Sequence, residues 1–160
     1  MGKANIRETY KNIRLAMPYE DILLGSRAIC QRLLEEIEFD WVKHLNAYRP
    51  IQGLKEVDIS LFVSEIKAKQ PQRAIGFVGP AKSQKLPAQK FDLILVPCLA
   101  FDKNNYRLGW GGGFYDRFLV RQPQALKIGV CFQNGFIESG LENEPHDIKL
   151  DKIITESETY

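Results

Sequence analysis

Two stretches decide how this chain folds: Phe91-Asp-Leu-Ile-Leu-Val-Pro97 and, shortly after it, Arg107-Leu-Gly-Trp-Gly-Gly-Gly-Phe-Tyr-Asp-Arg117. The first is a short apolar run bounded by a proline and reads as a buried strand. The second begins with four glycines among seven residues and leads into a helix-like segment from about Phe114 to Arg121. Glycines in series let backbone N–H groups crowd together and point at one anion, because no Cβ blocks the approach. A helix start just behind them adds a positive dipole end. Arg107 and Arg117 can pair with phosphate oxygens through their planar forks, and Asp116 can hold Mg2+ through one carboxylate.

The same residues also allow plainer readings. A glycine run can be a tight turn, and Asp116 can simply be an early-helix aspartate. Two standard phosphate loops are excluded. There is no Gly-x-x-x-x-Gly-Lys-Ser/Thr, and Gly109-x-Gly111-x-x-Phe114 lacks the third glycine of the dinucleotide pattern.

Working outward, the spacing of Ile6, Tyr10 and Ile13 predicts a first helix ending near Pro18. A second helix is expected from about Tyr19 to Glu38, with Ile22, Leu23, Ile29, Leu33, Leu34 and Ile37 as its apolar stripe. His44 to Tyr48 reads as a strand stopped by Pro50. Asp58 can cap a third helix with Leu61, Phe62 and Ile66 inside. Ala74–Val78, Leu126–Phe132 and Lys152–Thr155 are further strand candidates, and Gly79–Lys90 reads as a surface loop. Strands alternating with helices predict an α/β fold, a three-layer Rossmann-like domain with a mainly parallel sheet flanked by helices. Residues 1–160 are expected to form one domain. Ligands of such sheets collect at the carboxyl ends of the strands, where the glycine run would sit.

Composition narrows the function. With 22 basic and 20 acidic residues the formal net charge is +2, so nucleic acid is not an expected partner. No apolar run is long enough to span a bilayer, and the N-terminus lacks a hydrophobic signal segment. Cys30, Cys98 and Cys131 are odd in number and far apart, which argues against disulfides and a cysteine zinc site. They read as small buried hydrophobes in a reducing compartment, and the cytoplasm is the expected location. The protein is expected to be a monomer or weak homodimer.

The segment from Phe91 to Leu119 also resembles the signature of the 5-formyltetrahydrofolate cyclo-ligase (5,10-methenyltetrahydrofolate synthetase) family. Lys3-Ala-Asn-Ile-Arg7 resembles that family's N-terminal Lys-x-x-Leu-Arg. Glu144-Pro-His-Asp147, with Asp151 and Ile153-Ile-Thr-Glu156, resembles its C-terminal segment, and Tyr48–Glu56 the strand and turn that line the folate pocket. The resemblance implies an ATP-driven ligase with Mg2+ as cofactor and 5-formyltetrahydrofolate as substrate. ATP would phosphorylate the formyl oxygen, and N10 would close the ring to give 5,10-methenyltetrahydrofolate.

Carried over residue by residue, the resemblance makes Lys3, Arg7 and Arg107, Leu108, Gly109, Trp110, Gly111, Gly112, Gly113, Phe114 and Tyr115 the ATP site. Arg107 and Asp116 carry the chemistry. Ile51, Glu56 and the tip Trp110–Phe114 meet the folate, and Asp116 and Asp147 bring Mg2+. Trp110 stands at a variable position of the motif and is given contact only. A carboxylate at Glu56 makes chemical sense, because a pterin ring offers adjacent N–H donors. Without the resemblance, Lys3 and Arg7 read as a solvated basic N-terminus, although four residues' spacing puts both on one helix face. A lone His146–Asp147 pair is more often structural, and His146 is left out of the catalytic set.

The chain departs from the family between about 57 and 90, where it is short and Gly79–Pro87 stands in for a strand pair and loop. Two rival readings follow. One is a non-catalytic nucleotide- or RNA-binding relative using Lys82, Lys85 and Lys90. The other is sugar-phosphate chemistry on a similar scaffold, which needs a general base.

Overall fold

The computed structural model describes residues 2–80 and 86–160. Five strands form one parallel sheet in the order β2-β1-β3-β6-β8: β1 (His44–Asn46), β2 (Ala74–Gly76), β3 (Leu93–Pro97), β6 (Leu126–Val130) and β8 (Lys152–Ile154). The alternation along β3 shows why it is central. Leu93 and Leu95 face one buried cluster, while Ile94 and Val96 face another. A strand buried on both sides needs no polar face, which is what its continuous apolar run encodes. The first cluster is closed by helices α2 (Tyr19–Glu36) and α3 (Ser60–Lys69), the second by α4 (Phe114–Leu119). The mainly parallel three-layer α/β arrangement is therefore as expected.

Three side chains at the expected apolar positions face solvent. Ile13, Leu23 and Leu61 are exposed, and Val63 takes the inner position on α3. Both exposed leucines lie one residue from a buried position. A helix turns 100° per residue, so such neighbours fall on different faces. Asp58 does serve the start of α3, accepting the Ser60 N–H at 2.9 Å.

A second, three-stranded sheet is absent from the sequence reading. It contains β4 (Ala100–Asp102), β5 (Arg107–Leu108) and β7 (Phe136–Ile137), in the order β5-β4-β7. Strands of two or three residues carry too few side chains for a period to show. Their organiser is buried Asp102, whose carboxylate accepts the N–H groups of Asn104, Tyr106 and Leu141. The β4–β5 hairpin launches the glycine run. Its neighbour, the 3-10 turn Gln133–Gly135, tolerates no side chain at Gly135. A Cβ there would lie 2.6 Å from the Cys131 sulfur and 2.9 Å from the Leu99 carbonyl oxygen. Gly135→Ala is expected to cost about 2 kcal/mol, lowering the thermal midpoint by roughly 5 °C in a scanning melt.

Helix α1 (Lys3–Ala16) lies across the small sheet. It is tied down by the Tyr10 hydroxyl donating to the Phe136 carbonyl at 3.0 Å and by Arg7 donating to Gly109 at 2.9 Å. All three cysteines are buried and free. Among the described residues, no helix is long and apolar enough to cross a membrane.

Candidate active site

Chain order sets where the sheet opens. After β1 the chain adds β2 on one side, then returns to build β3, β6 and β8 on the other. The crevice of an open parallel sheet forms at such a reversal, beyond the carboxyl ends of the strands. A cavity of about 270 Å³ lies there, lined by Ile51, Leu54, Glu56, Pro80, Pro97, Arg107 and Gly109–Asp116. A second, of about 210 Å³, is lined by Tyr48, Arg49, Phe77 and Gly79, and shares Ile51, Glu56, Pro80, Pro97 and Tyr115 with the first. The fold thus gathers the segment after β1, the segment after β2, the end of β3 and the glycine run around one crevice.

Each wall has its own anchor. Buried Asn46 pins the segment after β2, donating to the Val78 carbonyl and accepting the Val78 N–H. This brings Phe77, Gly79 and Pro80 to the cavity. The Tyr48 hydroxyl donates to the Val57 carbonyl at 2.7 Å, and Glu56 accepts the Ile51 N–H at 2.8 Å. Glu56 is buried. Burial raises its carboxyl above the ordinary value, and the Ile51 N–H, Arg14 and Trp110 offset that only in part. In the glycine run, Gly111 and Gly113 have φ of 114° and 60°, the left-handed region that side chains avoid.

Three of the basic groups expected to grip phosphate, Arg107, Lys3 and Arg7, are already engaged. Arg107 is nearly enclosed: one nitrogen donates to the Ile148 carbonyl at 2.9 Å and another to Asp116 Oδ1 at 2.8 Å. Lys3 pairs with Asp147 and lies 3.5 Å from Glu144, and Arg7 faces the glycine run through Gly109. Lys3 and Arg7 do share a face of α1, but Lys3 reaches the C-terminal segment while Arg7 reaches the loop. Asp147 titrates below the ordinary carboxyl value. Burial alone would raise it, but the Glu144 N–H and Lys3 outweigh that effect. Helix α4 has only six residues, so few aligned peptides stand behind the loop and its dipole contributes less than expected.

Hard oxygen donors suit Mg2+, and Asp116 and Asp147 supply them. They are linked through Arg107, which bonds Asp116 and the carbonyl next to Asp147. Asp147 has closer company in Glu144 and His146, whose ligand atoms lie within 4.8 Å of one another; Asp116 is not in that trio. His146 is exposed and sits 3.1 Å from Glu144. Lys82 and Lys85 lie outside the described residues, and Lys90 donates to the Arg121 carbonyl at 2.7 Å.

Several residues of the site escaped the sequence reading. Arg14 is one. It is buried, donates to the Cys98 and Leu99 carbonyls at 3.2 and 3.1 Å, and covers the Phe132 ring at 4.8 Å. Its signal was present, because Lys3, Arg7 and Arg14 are spaced by four and seven along one helix face. Arg14→Met keeps the bulk and removes the donors, and is expected to cost about 2 kcal/mol. It also removes a charge that lowers the Glu56 pKa, so any Glu56-dependent binding should fail at a higher pH. A thermal melt and a pH titration check both. Phe77 and Pro80 also line the crevice, and they carry no motif that a single sequence reveals.

Fold and crevice together define a layered α/β protein whose candidate site lies beyond the carboxyl ends of its parallel strands. The family model for the 5-formyltetrahydrofolate cyclo-ligase family matches residues 55–156. A 5-formyltetrahydrofolate cyclo-ligase from Mycoplasma pneumoniae is 33% identical over 124 residues, covering 72% of this chain and 74% of that protein. One from Haemophilus influenzae is 30% identical over 149 residues, covering 90% and 75%. The structure of a 5,10-methenyltetrahydrofolate synthetase from Aquifex aeolicus superposes with a TM-score of 0.77 at 27% identity, covering 99% of this chain and 92% of that one. The fold is also that of the Mycoplasma pneumoniae synthetase structure, with a TM-score of 0.81 at 24% identity over 98% of this chain and all of that one. This chain belongs to the 5-formyltetrahydrofolate cyclo-ligase family.

Proposed function

We propose that this protein converts 5-formyltetrahydrofolate to 5,10-methenyltetrahydrofolate at the expense of ATP, with Mg2+. The observation that carries the reading is the crevice that joins a buried carboxylate, Glu56, to the glycine run. One end suits a pterin edge and the other suits phosphate. In the reaction the γ-phosphoryl group passes from ATP to the formyl oxygen. N10 then attacks the formyl carbon and loses its proton, and the C–O bond breaks to release phosphate carrying that oxygen. No protein nucleophile is needed. The protein's work is positioning and charge stabilisation.

Glu56 would accept two pterin N–H bonds, with Ile51 and Trp110 beside it. The amides of Gly109–Gly113 would hold the phosphates, with Lys3 and Arg7 supplying charge from α1. Arg107 pairs with Asp116 and aims it, Phe114 and Tyr115 close the wall, and Leu108 anchors the start of the run in the core of the small sheet. Mg2+, held by Asp116 and Asp147, would neutralise charge on the phosphoryl oxygens.

The reading is tested by mixing purified protein with 5-formyltetrahydrofolate and Mg-ATP and following methenyltetrahydrofolate absorbance. Growth that depends on ATP, on Mg2+ and on enzyme concentration is expected. No product at high enzyme concentration, with ATP still bound, would leave a nucleotide-binding relative without turnover.

A further inference from the structure

The Tyr115 ring lines both cavities of the crevice, and its hydroxyl is buried without any hydrogen-bond partner. A buried hydroxyl left unpaired is costly, and native structures usually satisfy it. Nothing in the local packing requires the oxygen. The ring is held by an edge contact to Phe114, with centroids 5.1 Å apart, which a phenylalanine would make equally well. Glu56 lines the same two cavities. The crevice therefore carries both a free donor, the phenol O–H, and an acceptor, the carboxylate.

That pair has a chemical complement. A 4-oxo pterin carries N3–H next to C4=O on one edge, a donor beside an acceptor. A 4-amino pteridine presents a bare N3 next to an amino group, the reverse order. We infer that the Tyr115 hydroxyl donates to the C4 carbonyl of the pterin while Glu56 accepts from N3–H, so that Tyr115 is a specificity-determining contact favouring 4-oxo over 4-amino pteridines. The inference rests on the folate reading above. It assigns Tyr115 to the pterin end of the site, in addition to its place at the end of the glycine run. A site built to hydrogen-bond a group discriminates strongly against analogues that leave it unpaired.

The test is a two-by-two comparison by isothermal titration without nucleotide. Wild type and Tyr115→Phe are each titrated with 5-formyltetrahydrofolate and with its 4-amino counterpart. Wild type is expected to prefer the 4-oxo ligand at least 50-fold. Tyr115→Phe is expected to cut the preference to about 5-fold by weakening the 4-oxo ligand, with the affinity for the 4-amino ligand little changed. Because the hydroxyl has no partner in the free protein, the variant should melt no lower than wild type, which separates a ligand contact from a structural role. An unchanged preference in Tyr115→Phe, or a lowered melting point, overturns the assignment. If wild type binds the 4-oxo ligand and turns it over but shows no preference, this inference alone falls. Failure of wild type to bind either pteridine overturns the folate reading as well.

Discussion

Arg107→Ala is expected to reduce turnover about 10³-fold, the scale seen when a positioned electrostatic group is removed from a reaction centre. The loss follows from what Arg107 holds. Its guanidinium spans the Asp116 carboxylate and the Ile148 carbonyl, so it joins the start of α4 to the C-terminal segment that carries Asp147. Without it, Asp116 loses its counter-charge in a mostly enclosed setting, and the two carboxylates proposed for Mg2+ lose their common brace. Breaking such a pair from one side costs about 3 kcal/mol, or a thermal midpoint roughly 9 °C lower. Arg107→Lys should not rescue turnover, because a point charge cannot span both partners. Steady-state rates and a scanning melt decide the matter; a fully active Arg107→Ala would remove this residue from the site.

Glu56→Gln is expected to weaken 5-formyltetrahydrofolate binding about 100-fold, equivalent to two charge-assisted hydrogen bonds of about 1.4 kcal/mol each. ATP affinity should not change, since Glu56 stands at the other end of the crevice. The stability effect has the opposite sign. Burial raises the Glu56 pKa above its ordinary value of 4.5, so the folded protein holds the ionised carboxylate less readily than the unfolded chain does. Ionised Glu56 therefore destabilises the fold at neutral pH. That cost fades as pH falls through the raised pKa and is gone below about 4.5. Glu56→Gln should accordingly melt no lower than wild type at pH 7, and any advantage should shrink on acidification. Folate binding by wild type should weaken over the same window as Glu56 protonates, whereas the variant's residual binding should stay flat. Titration calorimetry across pH, paired with melts, reads both signs; a Glu56→Gln variant with unchanged folate affinity would refute the pterin role.

The contrast between these two carboxylates marks how far the sequence could be read. Asp116 follows a glycine run that announces itself, so its residues suggested a phosphate site beside the plainer reading of an early-helix aspartate. Glu56 sits beside Lys55 in an ordinary polar turn. Nothing local distinguishes it from a surface charge, and only the resemblance singled it out. It meets Phe77, Gly79 and Pro80 of the segment after β2 around one cavity, and its neighbour Lys55 is tied to the Leu15 carbonyl of α1, both distant in the chain.

By itself the sequence determined the layered α/β fold, the glycine run with its left-handed positions, and the family. These are local or periodic properties: an unbroken apolar run must be a strand covered on both faces, and repeated glycine opens backbone that other residues cannot adopt. Only the tertiary structure decided that Arg107 braces Asp116, that Arg14 is buried, that a second small sheet launches the loop, and that Tyr115, with its unpartnered hydroxyl, lines the same crevice as Glu56. Each of those depends on which distant backbone groups meet a side chain. A hydrogen bond between residues 41, 84 or 144 positions apart leaves no period in the sequence that forms it.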